Sequence, residues 1–261
     1  MRVLTSQRKS EILELLRRDG SVVAKDLASR WEISEDTVRR DLRELAAEGL
    51  LQRVHGGALP VSAAAGDLEA RRSVAREEKQ VVAQLAAALV SDGQTVFIDG
   101  GTTGQALCRA LPLRLRATVI THSPTIAVEL TAHRGVDVFV IGGRVYPHSV
   151  VTTGAVAAEQ IATVTADVFF MGVSGVHLRA GLTTGDAEEA AIKRTISRRS
   201  SETYVLASSE KLGTASPFRV LGFGDVTAAI TDSTDRKTLQ PLIRAGLEFV
   251  TPTPTTGRQQ T

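Results

Sequence analysis

The chain has 261 residues, 43% of them hydrophobic and 23% charged, which exceeds one typical domain and argues against a mostly disordered or fibrous protein. Its lone Cys108 excludes an internal disulfide framework and a zinc site built on several thiolates, and so points to a reducing, cytoplasmic setting. A formal net charge of +2 means that any site for a polyanion must come from placement, and no apolar run approaches the roughly 20 residues that a membrane span needs.

Residues 1–59 show apolar spacing for three helices. Ile12, Leu13 and Leu16 form a stripe ended by Asp19-Gly20, Val23, Leu27 and Trp31 form a second, and Val38, Leu42 and Leu45 form a third ended by Gly49. Ser34 is placed to N-cap the third helix, with Glu35 and Asp36 in its first turn suiting the positive end of the helix dipole. Two short helices joined by a tight turn make a helix-turn-helix. With the core face taken, Thr37, Arg39, Arg40 and Arg43 project outward, where Arg can reach a guanine edge or a phosphate and Thr a backbone oxygen. Leu50 to Leu59 then reads as two strands around His55-Gly56-Gly57, a wing that lays Arg53 and His55 along a sugar-phosphate backbone. Trp31 is expected to pack the helical core. The same pattern also occurs in helical domains that touch no nucleic acid, and Glu35, Asp36, Asp41, Glu44 and Glu48 oppose a polyanion. Residues 1–59 carry 11 basic and 10 acidic side chains.

These residues resemble the winged helix-turn-helix of the DeoR family of transcriptional regulators: Arg8, Ile12, Leu16, Val23, Leu27, then S-E-D-T-V-R-R-D-L at 34–42, Gly49 and R-V-H-G-G at 53–57. The resemblance implies binding to double-stranded operator DNA through Ser34, Thr37, Arg39, Arg40, Arg43, Arg53, His55 and Gly56.

Small residues at 60–67 read as a linker. Leu68 to Val90 is one long helical pattern. Seven short apolar runs then alternate with helical stretches: 96–99, 118–121, 136–141, 168–173, 204–207, 226–230 and 247–250. That rhythm predicts an α/β, Rossmann-like domain over 68–250, with a parallel sheet covered by helices on both faces. The Pro- and Thr-rich tail, 251–261, is expected to be disordered.

The first run feeds Gly100-Gly-Thr-Thr-Gly104 and then a helix, which sets backbone N–H groups at the carboxyl edge of the sheet, where a phosphate can bind. Spelling excludes the P-loop and the dinucleotide fingerprint. The loop also reads as a plain tight turn. Thr121 and Ser123 end the second strand, Gly142, Gly143 and Arg144 the third, Gly172 to Gly175 the fourth, and Lys211 follows the fifth. On one rim these groups could surround a single anionic ligand. Glu189 with Lys193 reads equally as a ligand contact or as an i,i+4 surface pair.

The stretches D-G-G-T-T at 99–103, 121–123, 142–143, 166–172, G-L-T-T at 181–184 and K-L-G at 211–213 resemble the C-terminal sensor of DeoR-type regulators. That resemblance implies a fold related to ribose-phosphate isomerases and glucosamine-phosphate deaminases, and a phosphorylated sugar effector held by Asp99, Gly100, Gly101, Thr102, Thr103, Thr121, Ser123, Gly142, Gly143, Arg144, Gly175, Glu189 and Lys211. His122, Ser208 and Glu210 depart from the family spelling, which usually has Asn at the first and Asp at the second.

Isomerisation would need a general base and an enediolate-stabilising group, for which Asp99, Glu189, Lys193 and Lys211 could be drafted. With a DNA-reading module attached, sensing is the more economical use of such a pocket. The expectation is therefore a homo-oligomeric regulator of carbohydrate genes, most readily a repressor, with no catalytic residues, cofactor or metal and with no membrane partner. The alternative is a phosphosugar isomerase or deaminase whose front module docks a protein. His133 and His177 are expected to be ordinary loop or surface residues.

Overall fold

The computed structural model describes residues 4–54, 56–62 and 66–253, with the side chain of Arg17 excepted. His55, the middle of the linker and the tail from 254 onward lie outside the described residues.

The front module contains α1 (Thr5–Asp19), β1 (Val22–Val23), α2 (Ala24–Trp31), α3 (Glu35–Ala47), β2 (Gln52–Val54) and β3 (Gly57–Leu59). Ser34 caps α3, its hydroxyl accepting from the Thr37 N–H at 3.2 Å, and Glu35 and Asp36 occupy the first turn. Ile12, Leu16, Leu27, Trp31, Val38, Leu42 and Leu45 form the core between the helices. Trp31 packs there while its indole N–H donates to Glu11 at 3.1 Å. Gly56, at φ 80°, turns β2 back into β3, and β1 adds a third, two-residue strand on the far side of β3.

Asp41 departs from its expected place among the acidic groups opposing a polyanion. It is buried on α3, and the Arg8 guanidinium of α1 grips it with two hydrogen bonds at 2.7 and 3.1 Å. The carboxylate is thereby neutralised inside the module.

Behind this module come a 3₁₀ turn (Ala70–Arg72), α4 (Arg76–Ala87), β4 (Thr95–Ile98), α5 (Thr102–Ala110), β5 (Ala117–Thr121), α6 (Pro124–Leu130) and β6 (Val136–Val140). Next are β7 (Arg144–Tyr146), β8 (Val151–Thr153), α7 (Ala155–Ala162), β9 (Ala166–Gly172), β10 (Gly175–His177), β11 (Gly181–Thr184), α8 (Ala187–Arg198) and β12 (Ser200–Leu206). The 3₁₀ turn Ser209–Lys211, β13 (Phe218–Leu221), β14 (Ala228–Ile230), α9 (Arg236–Arg244) and β15 (Phe249–Val250) complete the described chain. All seven expected strands join one parallel sheet, in the order β15-β14-β12-β9-β4-β5-β6.

Alternation of side chains explains the two cores. Val96 and Ile98 of β4, with Val168 and Phe170 of β9, meet Val82, Leu107 and Ile126 of α4, α5 and α6. Phe97, Phe169 and Met171 point the other way, toward Ile161, Ile192, Ile196 and Leu239 of α7, α8 and α9. Phe97 and Phe169 meet edge to face, with centroids 5.5 Å apart. The chain winds outward in both directions from the β4–β9 pair, so the topological switch point lies between the carboxyl ends of those two strands.

Three expectations need correction. The stretch 68–90 is not one helix: Ala75 takes a left-handed φ of 49°, and α4 begins only at Arg76. The Lys79 ammonium holds that reversal by donating to the Arg71 and Val74 carbonyls at 2.7 and 2.5 Å. Two small antiparallel ladders, β7-β8 and β10-β11-β13, occupy stretches read as loops. His133 is buried, with Nε2 3.2 Å from the Leu111 carbonyl oxygen. Among the described residues no helix is long and apolar enough to cross a membrane.

Removing one partner of a buried ion pair strands the other charge, so Asp41→Ala is expected to destabilise the front module by about 3 kcal/mol. Hydrogen exchange of the full chain checks this: amides of α1 and α3 lose protection while those of β4 and β9 keep theirs.

Candidate functional site

At the switch point Asp99 follows β4 and is almost completely buried. Its Oδ1 accepts from the Gly100 N–H at 2.8 Å and lies 2.8 Å from His122 Nε2. Its Oδ2 accepts from the Gly172 N–H at 2.8 Å and from the Lys193 ammonium. Burial alone would raise the Asp99 carboxyl, but the Lys193 charge and the His122 hydrogen bond outweigh it and hold the group well below the usual carboxylate range. Burial likewise opposes the charge on Lys193, and Asp99 with Glu189 overcomes it, raising the ammonium above its ordinary value. Lys193 is 3.0 Å from Glu189, which in turn accepts from the Ser149 hydroxyl at 3.3 Å. His122 completes the cluster with Nδ1 3.1 Å from the Thr152 carbonyl oxygen.

Above this cluster sits a small cavity of about 30 Å³. The loop 100–104 forms one wall, Gly172 to Ser174 and Thr184 form another, and Arg71, Lys79, Lys193, Lys211 and Glu189 supply the charge. Gly101 takes a φ of 110°, which side chains rarely tolerate, and so the loop can turn directly into α5. The first amides of that helix have no intrahelical acceptors and carry the positive end of its dipole. Lys211 is buried, donating to the Leu206 carbonyl at 3.0 Å and to Thr103 Oγ1 at 3.3 Å. Burial pushes its ammonium down to about 8, with Glu210 opposing the shift. Burial lowers Arg71 and Lys79 as well. Because Asp99 and Glu189 already pair with Lys193, the remaining cations of the cavity suit a dianion the size of a phosphate group.

The expected ligand residues divide by position. Gly100, Gly101, Thr102, Thr103, Glu189 and Lys211 line the cavity, and Asp99 lies beneath it. Thr121 and Ser123 do not line it, because their hydroxyls donate to the Ile98 and Val150 carbonyls behind the loop. Gly142, Gly143 and Arg144 follow the edge strand β6, two strands away from the switch point, and Arg144 is exposed. Gly175 is turned toward the Thr214 backbone, where an added Cβ would lie 2.5 Å from the carbonyl oxygen. Ser174 and Thr184 on the cavity wall fall within the stretches 172–175 and 181–184 that the sequence singles out, whereas reasoning from sequence missed Arg71 and Lys79, which arrive only through the chain reversal at Ala75 that no residue there signals.

On the front module Thr37, Arg39, Arg40, Arg43 and Arg53 are all at least partly exposed, and Ser34 and Gly56 lie at the surface. Arg39 pairs with Glu35 at 2.9 Å, Arg40 with Glu44 at 3.2 Å, and the Arg43 Nε–H donates to the Arg39 carbonyl. Exposed pairs of this kind are worth about 0–1 kcal/mol, so a phosphate can displace the carboxylates. Lys9 also holds Glu44 and Glu48, at 3.1 and 3.2 Å, which reduces the acidity of this face.

Comparison with known proteins matches residues 8–63 to the DeoR-like helix-turn-helix domain and residues 74–233 to the DeoR C terminal sensor domain. The HTH-type transcriptional regulator GolR of Listeria innocua is 30% identical over 89% of this chain and 92% of its own. The Glycerol-3-phosphate regulon repressor of Escherichia coli is 29% identical over 87% of this chain and 91% of its own. Among solved structures, ribose 5-phosphate isomerase A of Methanocaldococcus jannaschii superposes on 52% of this chain and 54% of its own, with 18% identity and a TM-score of 0.39, too distant to bear on function.

Lys211 carries its charge below a pH of about 8 and loses it above. Affinity for a phosphate-bearing probe is therefore expected to fall as pH rises through that value, by up to about tenfold per pH unit. Calorimetric titration across the range reads this, and in Lys211→Met the inflection disappears.

Proposed function

The chain belongs to the DeoR family of transcriptional regulators, and from that premise we propose that it is a repressor of genes for the uptake or breakdown of a carbohydrate, released from its operator by a phosphorylated sugar. The observation that carries this reading is the presence on one chain of an arginine-bearing helix, α3, and a small cavity at the glycine loop lined by Arg71, Lys79, Lys193 and Lys211. A relative named as the Glycerol-3-phosphate regulon repressor supports a phosphorylated effector and a negative sign of regulation. Residues 1–59 would read the DNA and 68–250 the effector. A single module makes few base contacts, so two or more subunits on repeated half-sites would provide genomic specificity.

Sensing is favoured over turnover by the state of the carboxylates. Each Asp99 oxygen is engaged twice, which leaves that carboxylate no lone pair for a substrate proton, while Glu189 on the cavity wall is ion-paired with Lys193. A general base needs a free lone pair within reach of the substrate proton.

The geometry also supports a route between the two sites through the linker and hairpin β10-β11. The linker lies directly on segments that line the cavity: the Ser62 hydroxyl donates to the Ser174 carbonyl, and Val61 bridges Ala215, four residues beyond Lys211. Hairpin β10-β11 follows directly on Ser174 and ends at Thr184, both on the cavity wall, while His177 to Arg179 at its tip share a cleft with Val22, Val54 and Gly57 of the front module. A ligand that moves Ser174 or Lys211 would thus shift the base of the wing.

Gel-shift titration on DNA from upstream of the gene tests the proposal. Arg40→Ala is expected to weaken binding tenfold or more, and the cognate sugar phosphate to weaken wild-type binding about 5- to 150-fold, the usual range of coupling energies. Ser62→Ala is expected to keep both affinities and lose most of that coupling. Turnover of the sugar phosphate, or DNA affinity indifferent to every phosphorylated compound, would contradict the proposal.

A further inference from the structure

The cavity at the glycine loop, at about 30 Å³, is too small to enclose a whole phosphosugar. The remainder of a phosphosugar must extend elsewhere. One opening next to the cavity shares two of its residues, Lys79 and Thr102, and widens into a groove of about 660 Å³ between α4 and α5.

Two features of that groove point to a ligand. Gln105 on α5 is 3% exposed and lines the groove, yet its side-chain amide has no hydrogen-bond partner among the described residues. Gln105 lines the open groove, so its amide is available there to a ligand that offers both a donor and an acceptor. Arg72 and Arg76 stand across the groove from it, and Arg109 lies one turn further along α5. Arg72 is paired with Glu69 at 2.8 Å and Arg109 with Glu129 at 2.9 Å, whereas Arg76 has no ion-pair partner among the described residues. Lys79, at the junction, directs its ammonium to two backbone carbonyls. The groove therefore offers one uncommitted guanidinium and one uncommitted amide, the set that would hold a carboxylate or a phosphate together with a neighbouring hydroxyl.

We propose that the α4–α5 groove is the second half of the effector site, and that it receives a second anionic group, at the opposite end of an open-chain phosphosugar from the phosphate in the loop. This rests on the reading that the small cavity holds a phosphate. Arg76 binds the second anion and Gln105 a hydroxyl beside it, with the chain of the ligand passing between Lys79 and Thr102. The site thus selects phosphorylated sugar acids or bisphosphates over neutral-ended monophosphates.

The test compares three probes of similar length by calorimetric titration of the full chain at physiological salt: sorbitol 6-phosphate, 6-phosphogluconate and sorbitol 1,6-bisphosphate. The two doubly anionic probes are expected to bind at least about tenfold tighter than sorbitol 6-phosphate, the equivalent of one charge-assisted hydrogen bond. A gain shown only by 6-phosphogluconate identifies a carboxylate subsite, and a gain shown only by the bisphosphate a phosphate subsite. In Arg76→Gln the affinities are expected to converge to within about twofold, and in Gln105→Leu the advantage shrinks while circular dichroism shows the fold intact. Equal affinities in the wild type, or an advantage that persists in Arg76→Gln, would overturn the second subsite while leaving the phosphate cavity standing. Failure of all three probes and of inorganic phosphate to bind would overturn the phosphate reading and this inference with it.

Discussion

Four donors converge on one carboxylate at the centre of this protein. The amides of Gly100 and Gly172, the ring of His122 and the ammonium of Lys193 reach Asp99 from the ends of β4, β9 and β5 and from α8. A buried charge is tolerable only when its lone pairs are satisfied, and once satisfied it fixes its surroundings strongly because the local dielectric is low. Asp99 therefore does two things. It closes the seam between β4 and β9 at the switch point, and it draws the loop inward by one amide so that the following amides of α5 face the cavity. The phosphate-sized space exists because that carboxylate is fully occupied beneath it.

Charge is handled differently at the two ends of the chain. Arg39 and Arg40 of α3 rest in exposed pairs with Glu35 and Glu44, which cost little to break when a phosphate backbone arrives. The sensor instead keeps Lys211 and Arg71 poorly solvated, so that a bound anion supplies the counter-charge that burial has removed. One end trades partners at the surface, and the other waits for one in the interior. The linker and hairpin β10-β11 bring the two into contact, since Ser174 on the cavity wall accepts from Ser62, and the loop leaving Lys211 meets Val61 at Ala215.

Much of this architecture was legible in the sequence. The seven sheet strands showed as short apolar runs because a parallel strand is covered on both faces, and Asp99 to Gly104 stood out because a glycine loop between a strand and a helix has few other uses. The helix-turn-helix was legible from Ser34 and the Val38, Leu42, Leu45 stripe. What stayed hidden was set by tertiary contacts. The strand β1 is two residues long, and β11 is half threonine with a register shift against β13, so neither carries a clean alternation. The left-handed Ala75 has no glycine to announce it, and with it went the positions of Arg71 and Lys79. Arg144 was drawn to the site because every carboxyl-end loop was given one rim, whereas strand order leaves β6 at the edge of the sheet. His122 was seen as a departure in spelling, and only the fold shows its ring bridging Asp99 and the Thr152 carbonyl.

The central claim is that the occupied Asp99 carboxylate shapes the phosphate cavity, and that the cavity governs the grip on DNA. Fluorescence anisotropy of labelled operator bound to Asp99→Asn, titrated with the sugar phosphate that releases the wild type, tests it most directly. The account predicts that the variant holds the operator with wild-type affinity and fails to release it at concentrations that empty the wild type. Release of the variant at the wild-type concentration would contradict it.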